Sequence, residues 1–210
     1  IGPNWNSDNK IDDYLNCLRK FHDIADYITI NISSPNTENL RDFHNNEELK
    51  NLLERIHNEK EKLKSDIPIA IKISPDINQK NVEEKLNSFD GILVAPGFGE
   101  RGVEGKIEAI KYARVNKIPF LGICYGMQMA IIEFARNKLN LKKATSSEFD
   151  KKGLAIIGLM NEWNKDGKKI KGTDKNLGGT MRRGSYDAKL IKNSMIQKIY
   201  GKNLIKERHR

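Results

Sequence analysis

The stretch from Asp90 to Leu139 constrains the fold more than any other, because its signals allow only one kind of chain path. DGILVA is a short apolar run, PGFGERGVEG a glycine-rich break, KIEAIKYARVN a segment with helical spacing, PFLGI a second apolar run, and MQMAIIEFARNKL a second helical segment. Strand, loop, helix, strand, helix is the order of two consecutive βα units, whose strands pair in parallel through crossover helices. An α/β fold is therefore expected.

The second of these strands enters its helix through GICYGMQ. In that context a G-x-C-x-G pattern describes a sharp strand-to-helix turn, in which Gly122 and Gly126 permit close packing and Cys124 is held exposed at the carboxyl edge of the sheet. The helix N-terminus favours the thiolate, which is the nucleophilic form. Acyl transfer also needs donors for an oxyanion, and two are in place by topology. The Tyr125 N–H lies beside the nucleophile, and the loop Ala95–Gly99 follows the neighbouring strand and can present the Gly97 N–H. A cysteine at a tight turn can be purely structural. The paired glycine loop is what favours chemistry here.

Upstream, Asp12 to Asp23 spaces Leu15, Leu18 and Phe21 for one apolar helix face, with Cys17 beside it as a small buried hydrophobe. ADYITINIS reads as a strand that breaks at Ser33-Ser34-Pro35-Asn36, EELKNLLERIHNEKEKL (47–63) as an amphipathic helix, and IPIAIKIS (67–74) as a buried strand. Downstream, LAIIGLM reads as a strand, 164–176 as a polar connection, and SMIQKIY as a short helix. The polar stretch 76–85 is the one plausible domain boundary.

No apolar run approaches the roughly 20 residues that span a bilayer, and IGPNWNSDNK lacks the plan of a signal peptide. Two cysteines are too few for a disulfide framework or a zinc site, so no metal is expected and a reducing cytoplasm is the expected location. The net charge of +9 is local: residues 1–150 sum to −2 and residues 151–210 to +11. The basic part has no interleaved aromatics and no recognition motif, so it reads as a solvated or docking face and not as a nucleic-acid surface.

From Asp90 through KLNLKKATSSEF, LGGTMRRG and KERHR, the chain resembles the class I glutamine amidotransferase domain of the CTP synthase family over about 120 residues. The resemblance implies that Cys124 attacks the glutamine carboxamide and that the ammonia released aminates UTP. It further implies that Gln128 and Glu148 contact glutamine, and that Gly97 and Tyr125 supply the oxyanion hole. Pro96 stands where the family usually has glycine, a change that related amidotransferases tolerate. The family's activating His and Glu lie in an H-P-E segment beyond the ERHR match, so His209 is not the base, and ATP and Mg belong to a synthetase domain outside the resemblance.

Residues 1–75 resemble a different family, class 2 dihydroorotate dehydrogenase, a flavin-dependent β/α barrel. The resemblance rests on DDYLNCLRKFHDIADYITINISSPNTENLRDF and IPIAIKISPDI. It implies Ser34 as the base acting on dihydroorotate, Asn31 and Asn36 as substrate contacts, and Lys72 as a contact to FMN. Only two or three of eight βα units are represented, and a barrel does not close from so few.

The expected architecture is thus an N-terminal piece of a β/α (TIM) barrel, residues 1–80, followed by a parallel sheet with flanking helices of the class I amidotransferase type, residues 81–210, both incomplete. Glutamine hydrolysis through Cys124 is the leading function, without turnover by these residues alone. Dihydroorotate oxidation with FMN and a non-catalytic composite chain are the alternatives. No nucleic-acid or membrane partner is expected.

Overall fold

The computed structural model describes residues 1–4, 6–34, 40–74, 85–150, 152–158, 162–165, 167–171 and 184–209. Two compact units divide at Gly158 and Leu159. Expectations that fall on Asn36, on most of the 76–85 boundary and on most of LGGTMRRG lie outside the described residues.

In the first unit, helix α1 (Lys10–Phe21) starts where the Asn9 side chain accepts from the Asp12 N–H at 3.2 Å. Asp12 and Asp13 occupy its first turn and Arg19 and Lys20 its last, each sign matched to the helix dipole. The buried face is Tyr14, Leu15 and Leu18, while Phe21, expected on that face, is 42% exposed. Phe21 is the last residue of the helix, whereas Tyr14, seven residues earlier on the same stripe, is buried with its phenol donating to the Asn31 carbonyl at 2.8 Å. Strand β1 (Ile28–Asn31) pairs in parallel with β2 (Ile69–Lys72), Ile28 opposite Ile69 and Asn31 opposite Lys72. The helix between them, α2 (Asn46–Leu63), is capped by the Asn45 side chain and ends on Lys64 in the left-handed conformation. Arg19 ties α1 to α2 through Glu59 at 2.6 Å.

The later part of this unit repeats the βα plan. Strand β3 (Ile92–Val94) pairs in parallel with β4 (Phe120–Gly122), and α3 (Val103–Asn116) connects them. Helix α4 (Tyr125–Asn137) follows β4, and β5 (Ala144–Ser146) pairs in parallel with β6 (Leu154–Ile157) across a bulge at Thr145 and Ser146. Both helices begin two or three residues before their apolar spacing predicts. Gly102 (φ 67°) turns the chain into α3, and Cys124 turns it into α4. Between α3 and α4, buried Glu133 accepts from Arg114 Nε and Nη2 at 3.0 and 2.7 Å, and from Asn137 at 3.1 Å.

Two hydrophobic clusters form this unit. One gathers β1, α1 and α2, from Tyr14 to Ile67; the other gathers β3, α3 and α4, from Leu86 to Ile132. Ile73 packs against both.

The second unit contains two antiparallel pairs, β7 (Glu162–Lys165) with β8 (Lys168–Lys171) and β9 (Gly184–Lys189) with β10 (Leu204–His209). The short α5 (Met195–Tyr200) is capped by Ser194 Oγ. The polar connection expected over 164–176 is thus partly a hairpin. Its turn carries Asp-Gly in the sequence, and Gly167 has φ 76°, which is what such a hairpin turn requires. Among the described residues every sheet is two-stranded, and none closes into a barrel. No helix among them is long and apolar enough to cross a membrane.

Candidate active site

The elbow at Cys124 is built by two glycines in sequence. A Cβ on Gly126 would stand 2.1 Å from the Val94 carbonyl oxygen of the adjacent strand, and a Cβ on Gly122 would stand 2.8 Å from the Gly126 carbonyl carbon. Neither distance admits a side chain, so strand, turn and helix meet backbone to backbone. The Ile123 N–H donates to the Val94 carbonyl at 3.0 Å, and the Gly126 N–H donates to that of Ile123 at 2.9 Å. Held from both sides, Cys124 adopts φ 54° and ψ −105°, outside the ordinary regions for a residue with a side chain. Such a conformation costs about 1–3 kcal/mol and persists only where surrounding contacts impose it. Its residue is exposed, at the N-cap of α4.

Tyr125 is the first residue of α4, so its N–H lies outside the intrahelical ladder and is free to face an oxyanion. Its side chain is buried. The phenol donates to the Gly99 carbonyl, and the ring packs edge-on to Phe149 at 6.5 Å with the Lys106 ammonium 5.3 Å from its centroid. Gly97 sits in the loop after β3, exposed, with its Cα facing the Tyr125 ring. Glu148, after β5, accepts from the Gly99 N–H at 2.6 Å. Gln128 is half-buried in the first turn of α4, and its N–H donates to the Cys124 carbonyl at 3.2 Å. Cys124, Tyr125, Gln128, the Gly97 loop and Glu148 therefore gather around one elbow at the carboxyl ends of β3 and β4. Burial, and then the charge of Glu148, hold the Tyr125 phenol above its usual pKa, so it remains a donor at neutral pH.

Gly99 and Arg136 were not picked out by the sequence. Gly99 has φ 73° and joins Tyr125 to Glu148. Arg136 bonds Glu104 in the first turn of α3 at 2.9 Å and the Ala144 carbonyl that opens β5 at 2.7 Å. Only the positive φ of a glycine in PGFGERG was foreseeable; an arginine in a helix carries no such signal. An apolar groove of about 490 Å³ beside α4, lined by Met127, Ile131, Phe134 and Ile156 among others, offers no polar group to a carboxamide.

The residues implied for a dehydrogenase lie on the other βα unit. Asn31 and Lys72 are register partners at the ends of β1 and β2, with Ser34 three residues beyond Asn31. The Asn31 side chain already accepts from the Ser33 N–H and hydroxyl at 3.0 and 2.8 Å, and Lys72 is exposed. Among the described residues the Asn31 oxygen is thus taken up within its own loop and the Lys72 ammonium faces solvent, so neither is seen held toward an FMN site. Among the described residues no group of three or more His, Cys, Asp or Glu could hold a metal ion.

A family model for glutamine amidotransferase class-I matches residues 44–210. The chain belongs to the class-I glutamine amidotransferase family. The CTP synthase of Pelagibacter ubique is 74% identical over 137 residues, and that of Gluconobacter oxydans 52% identical over 131, covering 65% and 62% of this chain. The amidotransferase chain spans about a quarter of those relatives, 26% and 24%. Among solved structures, the glutaminase domain of Trypanosoma brucei CTPS with bound acivicin superposes with a TM-score of 0.56 at 27% identity, covering 87% of this chain and 65% of that one. An Eimeria tenella DHODH structure superposes with a TM-score of 0.52 at 18% identity, covering 63% of this chain and 49% of that one; this is a likeness of fold.

Proposed function

We propose that the amidotransferase chain binds glutamine at the elbow and that Cys124 is its nucleophile. The observation that carries this reading is the conformation of Cys124: a strained, exposed cysteine imposed by two glycine contacts, with a glycine loop alongside. In the reaction the Cys124 thiolate adds to the carboxamide carbon, forming a C–S bond, while the carbonyl oxygen takes the negative charge. The N–H groups of Tyr125 and Gly97 donate to that oxygen. Collapse breaks the C–N bond as the nitrogen takes the proton that the thiol gave up and leaves as ammonia, and water then hydrolyses the thioester to glutamate and returns the thiol. Glu148 supplies a carboxylate for the substrate ammonium and Gln128 a polar contact. The base is not assigned to His57, which pairs with Glu61 on α2 at 3.4 Å, or to His22, which caps α1.

The 74% identity to a CTP synthase supports UTP as the acceptor of the ammonia. The two clusters, which share only Ile73 at their margins, support dividing the chain into residues 1–80 and an amidotransferase over residues 81–210, and the motifs of the first part support reading it as a dihydroorotate dehydrogenase-like fragment. A cytoplasmic location accompanies this reading.

Alkylation tests the assignment with no need for turnover. Acivicin, a glutamine-directed electrophile, is expected to modify one site per chain, located by peptide mass spectrometry at Cys124. Cys124→Ser should remove all modification, and half-buried Cys17 should stay unmodified. An adduct at Cys17, or one that survives Cys124→Ser, would overturn the reading.

A further inference from the structure

Gly99 is held through both of its peptide groups by residues from two other elements. Its carbonyl accepts from the Tyr125 phenol in the first turn of α4, and its N–H donates to Glu148 after β5 at 2.6 Å. Gly99 is two residues from Gly97, whose N–H is the loop's oxyanion donor, and its φ of 73° fixes the direction in which the loop leaves that donor. Tyr125 is 1% exposed, and no surface role explains its hydroxyl. Lys106, the ammonium over the ring, also donates to the Arg101 carbonyl at 2.8 Å, so the same aromatic gathers the far end of the loop.

We infer that the Tyr125 side chain is a positioning residue for the oxyanion loop: phenol and Glu148 clasp Gly99 from opposite sides and thereby set the Gly97 N–H against the nucleophile. The residue after the nucleophile thus acts twice, with its N–H on the oxyanion and its hydroxyl on the loop that brings the second donor. This inference rests on the glutaminase reading for its chemical consequence, though the clasp itself does not. Because the carboxylate that holds Gly99 is also the group offered to the substrate ammonium, glutamine recognition and loop placement share one side chain. A preorganised donor is worth more than one that must be ordered during reaction.

The test compares Tyr125→Phe with the unmodified full chain by two probes and one exchange measurement. Acivicin requires the oriented site, whereas iodoacetamide reports only the exposed thiolate. Tyr125→Phe is expected to lower the maximal acivicin rate about tenfold, the effect of losing roughly one hydrogen bond, while the iodoacetamide rate changes less than about twofold. Hydrogen exchange in 97–102 should rise relative to that in α3. A purely structural role would change both alkylation rates together. If the phenylalanine variant does not fold, Gly99→Ala tests the same clasp from the loop side. Its Cβ would meet nothing within 4 Å, so only the left-handed backbone is penalised, and a loss in the same direction is expected. Unchanged loop exchange, or faster exchange with an unchanged acivicin rate, overturns the inference. Failure of acivicin to label the unmodified chain would instead sink the glutaminase reading, and the exchange measurement would still decide the clasp.

Discussion

Gly126→Ala is expected to dismantle the elbow and to destabilise the protein by about 3 kcal/mol or more, the upper part of the range for overpacking, because the obstacle is backbone. The added methyl carbon would stand 2.1 Å from the Val94 carbonyl oxygen, 2.8 Å from its carbon and 3.0 Å from its Cβ. No rotamer relieves a clash with a strand that is itself paired to β4. Either β3 separates from α4 or Cys124 leaves its strained conformation, and both outcomes remove the exposed thiol from the glycine loop. Urea unfolding should show the midpoint falling by roughly 1–3 M for a typical denaturant dependence, and acivicin labelling should vanish. Gly91→Ala is the control, since its nearest contact would be an ordinary 3.5 Å to the Pro119 carbonyl. A Gly126→Ala protein with an unchanged midpoint and normal labelling would contradict the packing described for the elbow.

Arg114→Met is expected to cost about 3 kcal/mol, the lower end for breaking a buried ion pair. Glu133 is 1% exposed, and its carboxylate is held by two nitrogens of the Arg114 guanidinium, Nε and Nη2, which no other described residue replaces except in part Asn137. Methionine keeps the packing of the arginine stem, so the loss reads mainly the stranded carboxylate. Adding Glu133→Leu should recover most of it, because a pair of apolar residues of similar volume replaces a buried ion pair with little net change. Urea midpoints of the single and double variants measure this. A double variant no better than Arg114→Met would show that the pair holds α3 against α4 by more than its own charge balance.

The βα plan around the elbow was legible because each signal was local. An apolar run, a glycine break and a helical repeat specify β3, α3, β4 and α4, and the G-x-C-x-G pattern places Cys124 at the turn. The contacts that give the site its geometry were not legible. Nothing in PGFGERG tells which glycine is gripped, because the grip comes from Tyr125 and from Glu148, 49 residues away in sequence. Phe21 was misread as core because a three-residue spacing fits it as well as it fits the residues actually buried. Phe21 shares a stripe with Tyr14, seven residues earlier, but it is the last residue of α1, and spacing alone does not tell how far along the helix the packing partner extends. The β7–β8 hairpin was missed because its strands are lysine-rich, and composition outweighed the Asp-Gly turn between them. In the N-terminal unit the motif residues Asn31, Ser34 and Lys72 do lie near one sheet end. Their neighbourhood shows that proximity along a motif does not by itself make a cofactor site.

Competition with L-glutamine decides whether the elbow is a glutamine site with Cys124 as its nucleophile. The rate of acivicin labelling at Cys124 is measured with increasing L-glutamine, with iodoacetamide labelling as the reference for thiol exposure. L-glutamine is expected to slow acivicin labelling in a saturable way. Labelling at a rate independent of L-glutamine at any concentration would contradict it.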